Sequence, residues 1–200
     1  MKRFFLMSAV TLALSIPGFA ANPDGVYLGT PSYGGTGCPA GTASAALSPD
    51  ATSLSILFDQ YVVQAGGPGG QSLDRKACNI AIPVHVPQGF SVSVFKIDYR
   101  GFNNLPAGTY SQFGVEYFFA GARGPGYTKH FAGPLSDNYL LTNTLAASAV
   151  TWSPCGQDVI LRTNSNMFVH TNSAMEQAMA TVDSLDVGSG LIYHFQWQRC

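Results

Sequence analysis

The sequence predicts an all-β fold: an antiparallel β-sandwich of jelly-roll-like or Greek-key type, with long Gly/Pro-rich loops and two disulfides. Apolar residues recur at every second position in several segments, which is the period of a half-buried strand. No segment carries a sustained apolar stripe with the 3.6-residue period of a helix. About ten short strand candidates are separated by turn residues, a pattern typical of a sandwich or barrel.

The amino terminus has the three-part layout of a secretory signal peptide. A short basic start at Lys2 and Arg3 is followed by an apolar run and then by small residues up to Ala20. The apolar run, roughly 13 residues long, is too short to cross a bilayer core of about 30 Å. We therefore expect a signal peptide over residues 1–20, a single β domain over residues 21–200, no membrane span, and a secreted or periplasmic location.

The charge balance narrows the class of partner. Charged residues make up 10% of the chain, against about 25% in an average soluble protein. Lys2 and Arg3 leave with the leader, so 8 of the 10 basic residues remain against 11 acidic ones, a net charge of about −3. This balance contains no basic run, so it argues against a nucleic-acid or anionic-membrane partner held by electrostatics.

The cysteines predict covalent cross-links. Four cysteines follow the leader, at Cys38, Cys78, Cys155 and Cys200, and an even number in an exported chain favours two disulfides. Three pairings are possible, and the sequence does not decide between them. We favour Cys38–Cys78 with Cys155–Cys200, because each bridge then stays within one half of the chain. A four-thiolate zinc site is the alternative, but no C-x-x-C spacing supports it.

Residues 78–100 predict two long strands joined at Pro87-Gln88-Gly89, where Pro-x-Gly breaks the alternation. One face of the first strand takes Cys78, Ile80, Ile82, Val84 and Val86. In the second strand, we expect Phe95, Ile97 and Tyr99 to lie on one face. Lys96, Asp98 and Arg100 would then lie on the opposite face. Residues 109–119 return as the next strand. If the two strands are hairpin neighbours, Glu116 lies near Lys96 as a cross-strand pair.

The remaining elements follow from the same signals. In chain order we expect a hairpin from residues 42–47 and 52–58, an extension at 61–63, a Gly-rich loop over 64–76, and a surface excursion with one short strand over 120–138. A strand ending near Trp152 follows, then strands at 158–163 and 167–170 around a turn at 164–166, then a hairpin from 181–187 and 191–198. Residues 174–180 are the best helical candidate, with at most two turns.

An ordered series of short motifs spans almost the whole predicted domain. It comprises GGTGCPAGT, DRKACNI followed by PQGF, DYRGF, YFFAG, GPLSDNY, WSPCG, TVDS and a terminal W-x-x-C. Over residues 34–200 this series resembles an uncharacterised family of small secreted proteins, the domain of unknown function 4360, with similar sequences in bacteria and fungi. The resemblance implies a secreted domain in which all four cysteines are structural. It implies no catalytic residues.

The charged segment is the strongest candidate for a site. Asp98, Tyr99 and Arg100, followed by a glycine, can form a polar ligand site at a strand end, with Lys96 and Glu116 beside them. The alternative is a structural ion pair and a turn, because charge ladders on strands are commonly structural. We expect this ligand site, if present, to hold neither a metal nor a cofactor.

Other kinds of site have weak support. Asp183 and Asp186 can join Asp98 or Asp59 as calcium ligands, but no EF-hand spacing is present. The four histidines have no zinc-binding spacing, no G-x-S-x-G elbow supports a serine hydrolase, and no phosphate loop is present. Several aromatic residues can build a sugar-stacking platform, but core packing explains most of them. We expect Tyr127 and Tyr139, which lie in or beside loops, to be the exposed ones.

These observations support three hypotheses for the function. The first is a non-catalytic extracellular module that binds a glycan or a cell-surface protein, since charges are few, loops are many and catalytic signatures are lacking. The second is a secreted hydrolase with Asp98, Arg100 and Glu116 in a cleft. The third is a structural component of an envelope or matrix.

Overall fold

The computed structural model describes residues 23–119, 121, 124–182 and 190–200. In these residues the chain forms strands and turns, with two single-turn 3-10 segments at Gly67–Gly69 and Ala147–Ala149. The predicted signal peptide and most of the predicted strand at 181–187 lie outside the described residues. The predicted helix at 174–180 does not form, because its last residues pair as a strand.

The described part of the chain contains twelve strands. They are β1 (Ser32–Gly34), β2 (Ala43–Leu47), β3 (Ser53–Phe58), β4 (Val62–Ala65), β5 (Leu73–Val84), β6 (Phe90–Leu105), β7 (Tyr110–Phe119), β8 (Gly126–Ala132), β9 (Leu135–Thr144), β10 (Val159–His170), β11 (Ala178–Thr181) and β12 (Leu191–Arg199).

The strands form two antiparallel sheets that pack face to face. Sheet A has the order β1-β5-β10-β7-β8, and sheet B has the order β2-β3-β12-β6-β11-β4, with β9 also paired to β6. The predicted hairpin of β2 and β3 is present. The predicted antiparallel sandwich is therefore confirmed.

The core lies between the two sheets and is built by alternation along each strand. The predicted inward set on β5 is buried, at Cys78, Ile80, Ile82, Val84 and Val86. The predicted inward set on β12 is also buried, at Leu191, Tyr193, Phe195 and Trp197. Because side chains alternate across a strand, the residues between these positions form the outer faces of the sandwich.

The strands β5 and β6 form as predicted on either side of residues 87–89, but they belong to different sheets. The strands β6 and β7 also belong to different sheets, so the predicted cross-strand pair of Lys96 and Glu116 is wrong. Lys96 lies opposite His194 and Thr144, whereas Glu116 lies opposite Asn164 and Gly126. A two-residue period fixes which face a residue occupies but does not identify the neighbouring strand.

A register shift in β6 corrects one further assignment. Val94 pairs with Phe195 and Lys96 pairs with His194, so Phe95 is the extra residue of a bulge. Its ring packs against the outward-facing His194, with centroids 6.2 Å apart. Phe95 therefore lies on the outer face, and the prediction that it shares a face with Ile97 and Tyr99 is wrong.

Several loops predicted from turn residues are strands. Residues 159–170 form one strand, β10, instead of two strands around a turn at 164–166. Ser165 is buried there, and its hydroxyl lies 3.2 Å from that of Tyr61 in the opposite sheet. The excursion at 120–138 contains β8 and the start of β9. The strand β12 pairs with β3 and β6.

Both predicted disulfides are present. Cys38 is bonded to Cys78, and Cys155 is bonded to Cys200. Their sequence separations of 40 and 45 residues close loops worth about 4 kcal/mol each in the chain-entropy description. The first bridge joins the loop after β1 to β5, and the second ties the carboxyl terminus to the segment before β10.

Tyrosine hydroxyls bond across the interior between the sheets. Tyr193 of sheet B shares a hydrogen bond with Thr163 of sheet A, and both residues are completely buried. Burial raises the pKa of Tyr193 well above its usual range, and burial likewise raises the pKa of Tyr117 to about 12. These hydroxyls stay protonated at physiological pH and act as neutral hydrogen-bonding groups.

We predict that Tyr193→Phe lowers the free energy of unfolding by about 1–3 kcal/mol, because it leaves the buried hydroxyl of Thr163 without its partner. Adding Thr163→Val should recover most of the loss, since no unpaired polar group then remains. Urea unfolding measures both effects, with Tyr110→Phe on the exposed face as the control. A single variant as stable as the wild type would contradict the assignment of this bond as a link between sheets.

Candidate functional site

The predicted site residues occupy three different environments. Lys96, Asp98 and Arg100 lie on the outer face of sheet B, and Tyr99 points from the same strand into the core, where it is completely buried. Glu116 is exposed on the outer face of sheet A. Packed sheets lie about 10 Å apart, so the sandwich separates Glu116 from Lys96, Asp98 and Arg100. The cleft that the hydrolase hypothesis requires is not assembled.

Asp98 is the centre of a small polar cluster on sheet B. Thr142 Oγ1 donates a hydrogen bond to Asp98 Oδ1 at 2.6 Å, and His194 Nε2 lies 2.7 Å from Oδ2. Lys96 Nζ lies 3.5 Å from the same Oδ2 atom. Both carboxylate oxygens therefore have partners within the protein, which supports the structural interpretation for Lys96 and Asp98. Arg100 is not part of this cluster, and its buried Nε atom has no hydrogen-bond partner among the described residues. The sequence analysis did not identify His194 as a partner, because the register of β12 on β6 cannot be obtained from alternation alone.

The protonation of Asp98 reflects these contacts. Burial raises the pKa of Asp98, but the hydrogen bonds from Thr142 and His194 and the charge of Lys96 outweigh it, so the pKa lies below its usual range. The cluster therefore holds an ionised carboxylate down to acidic pH.

The tyrosines are exposed at positions other than the predicted ones. Tyr127 is half-buried and stacks on Tyr99, with ring centroids 5.3 Å apart and planes at 6°. Tyr139 is half-buried, and its hydroxyl donates a hydrogen bond to the carbonyl of Thr181 at 2.7 Å. The expectation that these two are exposed is wrong. The tyrosines with large exposed fractions are Tyr27 at 58% and Tyr110 at 42%.

A shallow polar groove lies on the outer face of sheet A, across the central strands β5, β10 and β7 and the edge strand β8. We call it the sheet A groove and define it by the outward side chains of Arg75, Asn79, Glu116, Thr128, Asn164 and Asn166, with Gly114 between them. Its volume is about 320 Å³. Glu116 is the one residue of the predicted site that contributes to this groove.

The strand register brings these groups into two neighbouring rows. Asn79, Asn164 and Glu116 lie side by side on β5, β10 and β7. In the next row, Asn166 lies opposite Gly114, and Gly114 lies opposite Thr128. The asparagines were missed because Asn-Ser-Asn is typical of a turn, whereas here it is the middle of a strand that is paired on both sides.

Gly114 leaves the floor of the groove open. A Cβ atom at this position would lie 3.0 Å from Asn166 Nδ2, so any side chain would press on the amide. Glycine in the interior of a strand weakens the sheet and often marks a place where a ligand approaches the backbone closely. The bare backbone therefore makes a depression in an otherwise pleated surface.

Aromatic rings stand at one end of the groove. Tyr110 stacks on His170, with centroids 5.1 Å apart and planes at 11°. Phe168 meets Tyr110 edge-on at 6.0 Å. On the other side of Tyr110 the paired residue of β8 is Ala132, whose small side chain leaves room beside the ring. This end combines an exposed apolar ring with the polar rows.

The described residues contain no group of three His, Cys, Asp or Glu side chains that could hold a metal ion. Asp183 and Asp186, which we considered as calcium ligands, lie outside the described residues. Within the same part of the chain, no helix has the length and apolar character needed to cross a membrane.

Comparison with known proteins places these features in a family. Residues 24–200 match the Domain of unknown function (DUF4360), in agreement with the resemblance seen in the motifs. An uncharacterized secreted protein of Arthroderma benhamiae (strain ATCC MYA-4681 / CBS 112371) is 36% identical over 184 residues, which cover 92% of this chain and 75% of the relative. The secreted relative and the two disulfides agree on an extracellular location.

We predict that Thr142→Val raises the pKa of Asp98 toward the ordinary value of about 3.9, because it removes a hydrogen bond to the ionised form. A carbon-detected NMR titration of the Asp98 carboxyl measures this directly. Thr144→Val is the matched control, since Thr144 lies on the same strand and face but opposite Lys96.

The same change should alter acid stability. A pKa lowered by folding stabilises the native state above the unfolded pKa, and this stability is lost as the pH falls through the folded value. Thr142→Val should therefore make the loss of stability below about pH 4 less steep. An Asp98 pKa that does not move in Thr142→Val would contradict the role given to this hydrogen bond.

Proposed function

The chain belongs to the DUF4360 family, and we propose that it is a secreted, non-catalytic domain that binds glycans in the sheet A groove. The observation that carries the proposal is the pair of polar rows around Gly114, with an exposed aromatic ring at one end. Sites for sugar chains need groups that bond to hydroxyls and a surface on which the apolar face of a sugar ring can rest. The groove offers both on one sheet.

The polar rows have unused hydrogen-bonding capacity. The side chains of Asn79, Asn164 and Asn166 form no hydrogen bonds with other described residues. An amide supplies two donors and an acceptor, and a carboxylate such as Glu116 supplies acceptors only. Sugar hydroxyls both donate and accept, so a chain lying across the rows can satisfy these groups without displacing any protein contact.

The aromatic end supports the same proposal. Tyr110 is 42% exposed although His170 covers one face of its ring. Tyrosine has an apolar body and a polar tip, so it contacts ligands with apolar and polar faces, such as sugars. The stacked partner holds the ring upright on the sheet, which reduces the entropy lost on binding.

A glycan fits this surface better than a folded protein partner. Protein interfaces are built around buried aromatic or aliphatic anchors with a dry centre. The centre of the sheet A groove is instead lined by amides, a carboxylate and bare backbone. The other exposed large apolar side chains do not line this centre: Leu57 and Leu140 lie on sheet B, Ile160 lies near the start of β10, and Leu73 lies opposite His170 at the aromatic end of the groove.

We predict that Gly114→Val weakens glycan binding at least about tenfold, equivalent to about 1.4 kcal/mol, because the added side chain fills the floor of the groove. Valine is favoured in strands, so the fold should be retained. A glycan array with neutral and acidic oligosaccharides identifies the ligand, and isothermal titration calorimetry measures its affinity.

The control is Ser55→Val, which adds the same side chain to an outward position of β3 in sheet B. It should bind like the wild type. Absence of binding to every glycan on the array would contradict the proposal, and so would a Gly114→Val protein that remains folded and binds with unchanged affinity.

A further inference from the structure

We infer that the sheet A groove selects an acidic glycan, a sugar chain that carries carboxylates as uronic acids do. This inference rests on the proposed function and adds the class of ligand. It follows from the placement of two arginines on the face that contains the groove.

The charge of this face is opposite to that of the whole protein. The predicted mature chain carries 8 basic residues against 11 acidic ones. On the outer face of sheet A, the charged positions of β5, β7 and β10 are Arg75, Arg162 and Glu116. This face therefore carries two positive charges and one negative charge, and its other titratable groups are His130, His170 and Tyr110.

Arg75 lies in the groove, and Arg162 lies just beyond the opposite end of it. Arg75 lines it directly and lies opposite Phe168 of β10. Arg162 lies on β10 two positions beyond Asn164. Six positions of β10 separate Arg162 from Phe168, which corresponds to about 20 Å at about 3.4 Å per residue. A chain lying along β10 would pass one arginine, then the polar rows, then the other arginine.

Neither arginine is neutralised by the protein. Arg75 and Arg162 are exposed and form no ion pair with a described carboxylate. A guanidinium has a planar fork of donors that matches a carboxylate in two parallel hydrogen bonds. A glycan with carboxylates at intervals along its chain can engage both arginines, while its hydroxyls meet Glu116 and the asparagines.

The number of cations also fits a sugar acid better than a nucleic acid. Nucleic-acid binding depends on many phosphate contacts made by clusters of Lys and Arg. This face offers two arginines far apart, separated by amide groups that match hydroxyls. The separation of the two arginines suits a polymer whose negative charges are separated by groups of hydroxyls.

The test uses two forms of one polymer: polygalacturonate and its fully methyl-esterified form. The backbone is the same, and esterification removes the negative charge and adds a methyl group to each carboxyl. We expect the wild type to bind the acidic form about tenfold or more tightly than the ester, with a preference that weakens as the salt concentration rises.

Arg75→Gln and Arg162→Gln should each reduce affinity for the acidic form about tenfold and reduce affinity for the ester by a much smaller factor, so that the preference for the acidic form falls. Arg199→Gln is the matched control, because Arg199 is exposed at the end of β12 in sheet B and lies over Phe90. Thermal unfolding verifies that each variant is folded.

The outcomes separate this inference from the proposed function. Equal affinity for both forms, abolished in each case by Gly114→Val, would overturn the acid preference and leave glycan binding in place. Preference for the acidic form that survives both arginine substitutions would overturn the assignment to these arginines. No binding of either form, together with no binding on the glycan array, would contradict both.

Discussion

The packing of two sheets on one shared interior is the constraint on which the rest of this molecule depends. Each strand places every second side chain in that interior, and the hydroxyl of Tyr193 bonds across it to that of Thr163. The side chains between these positions point outward and take no part in the packing between the two sheets. Binding groups can therefore vary on the outer faces without disturbing the core.

The two outer faces use their polar residues in different ways. On sheet B, Asp98 is held by Thr142, Lys96 and His194, so its charge is satisfied within the protein. On sheet A, the asparagines and arginines face solvent without such partners among the described residues. The groove lies on central strands paired along most of their length, so its groups are held in a fixed arrangement. This difference is the reason for placing the proposed function on sheet A.

The sequence predicted where strands occur better than it predicted which strands pair with each other. Alternation in residues 78–86 and 191–198 identified both strands and their buried faces, because burial of one face leaves a period of two in the sequence. The same period carries no information about which strands pair, so Glu116 was placed beside Lys96 although their strands lie in opposite sheets. For the same reason His194 was missed as a partner of Asp98. Turn propensity was misleading at Asn164-Ser165-Asn166, because these residues are paired with strands on both sides and Ser165 is buried, with its hydroxyl bonded to that of Tyr61.

The most direct test of the central claim is an NMR titration of the isotope-labelled mature protein with an oligomer of galacturonic acid. We expect the amide resonances that shift to belong to β5, β7, β8 and β10, around Gly114, with those of β3 and β12 unchanged. Shifts grouped around Asp98 on sheet B, or shifts confined to the loops, would contradict the assignment of the sheet A groove as the binding site.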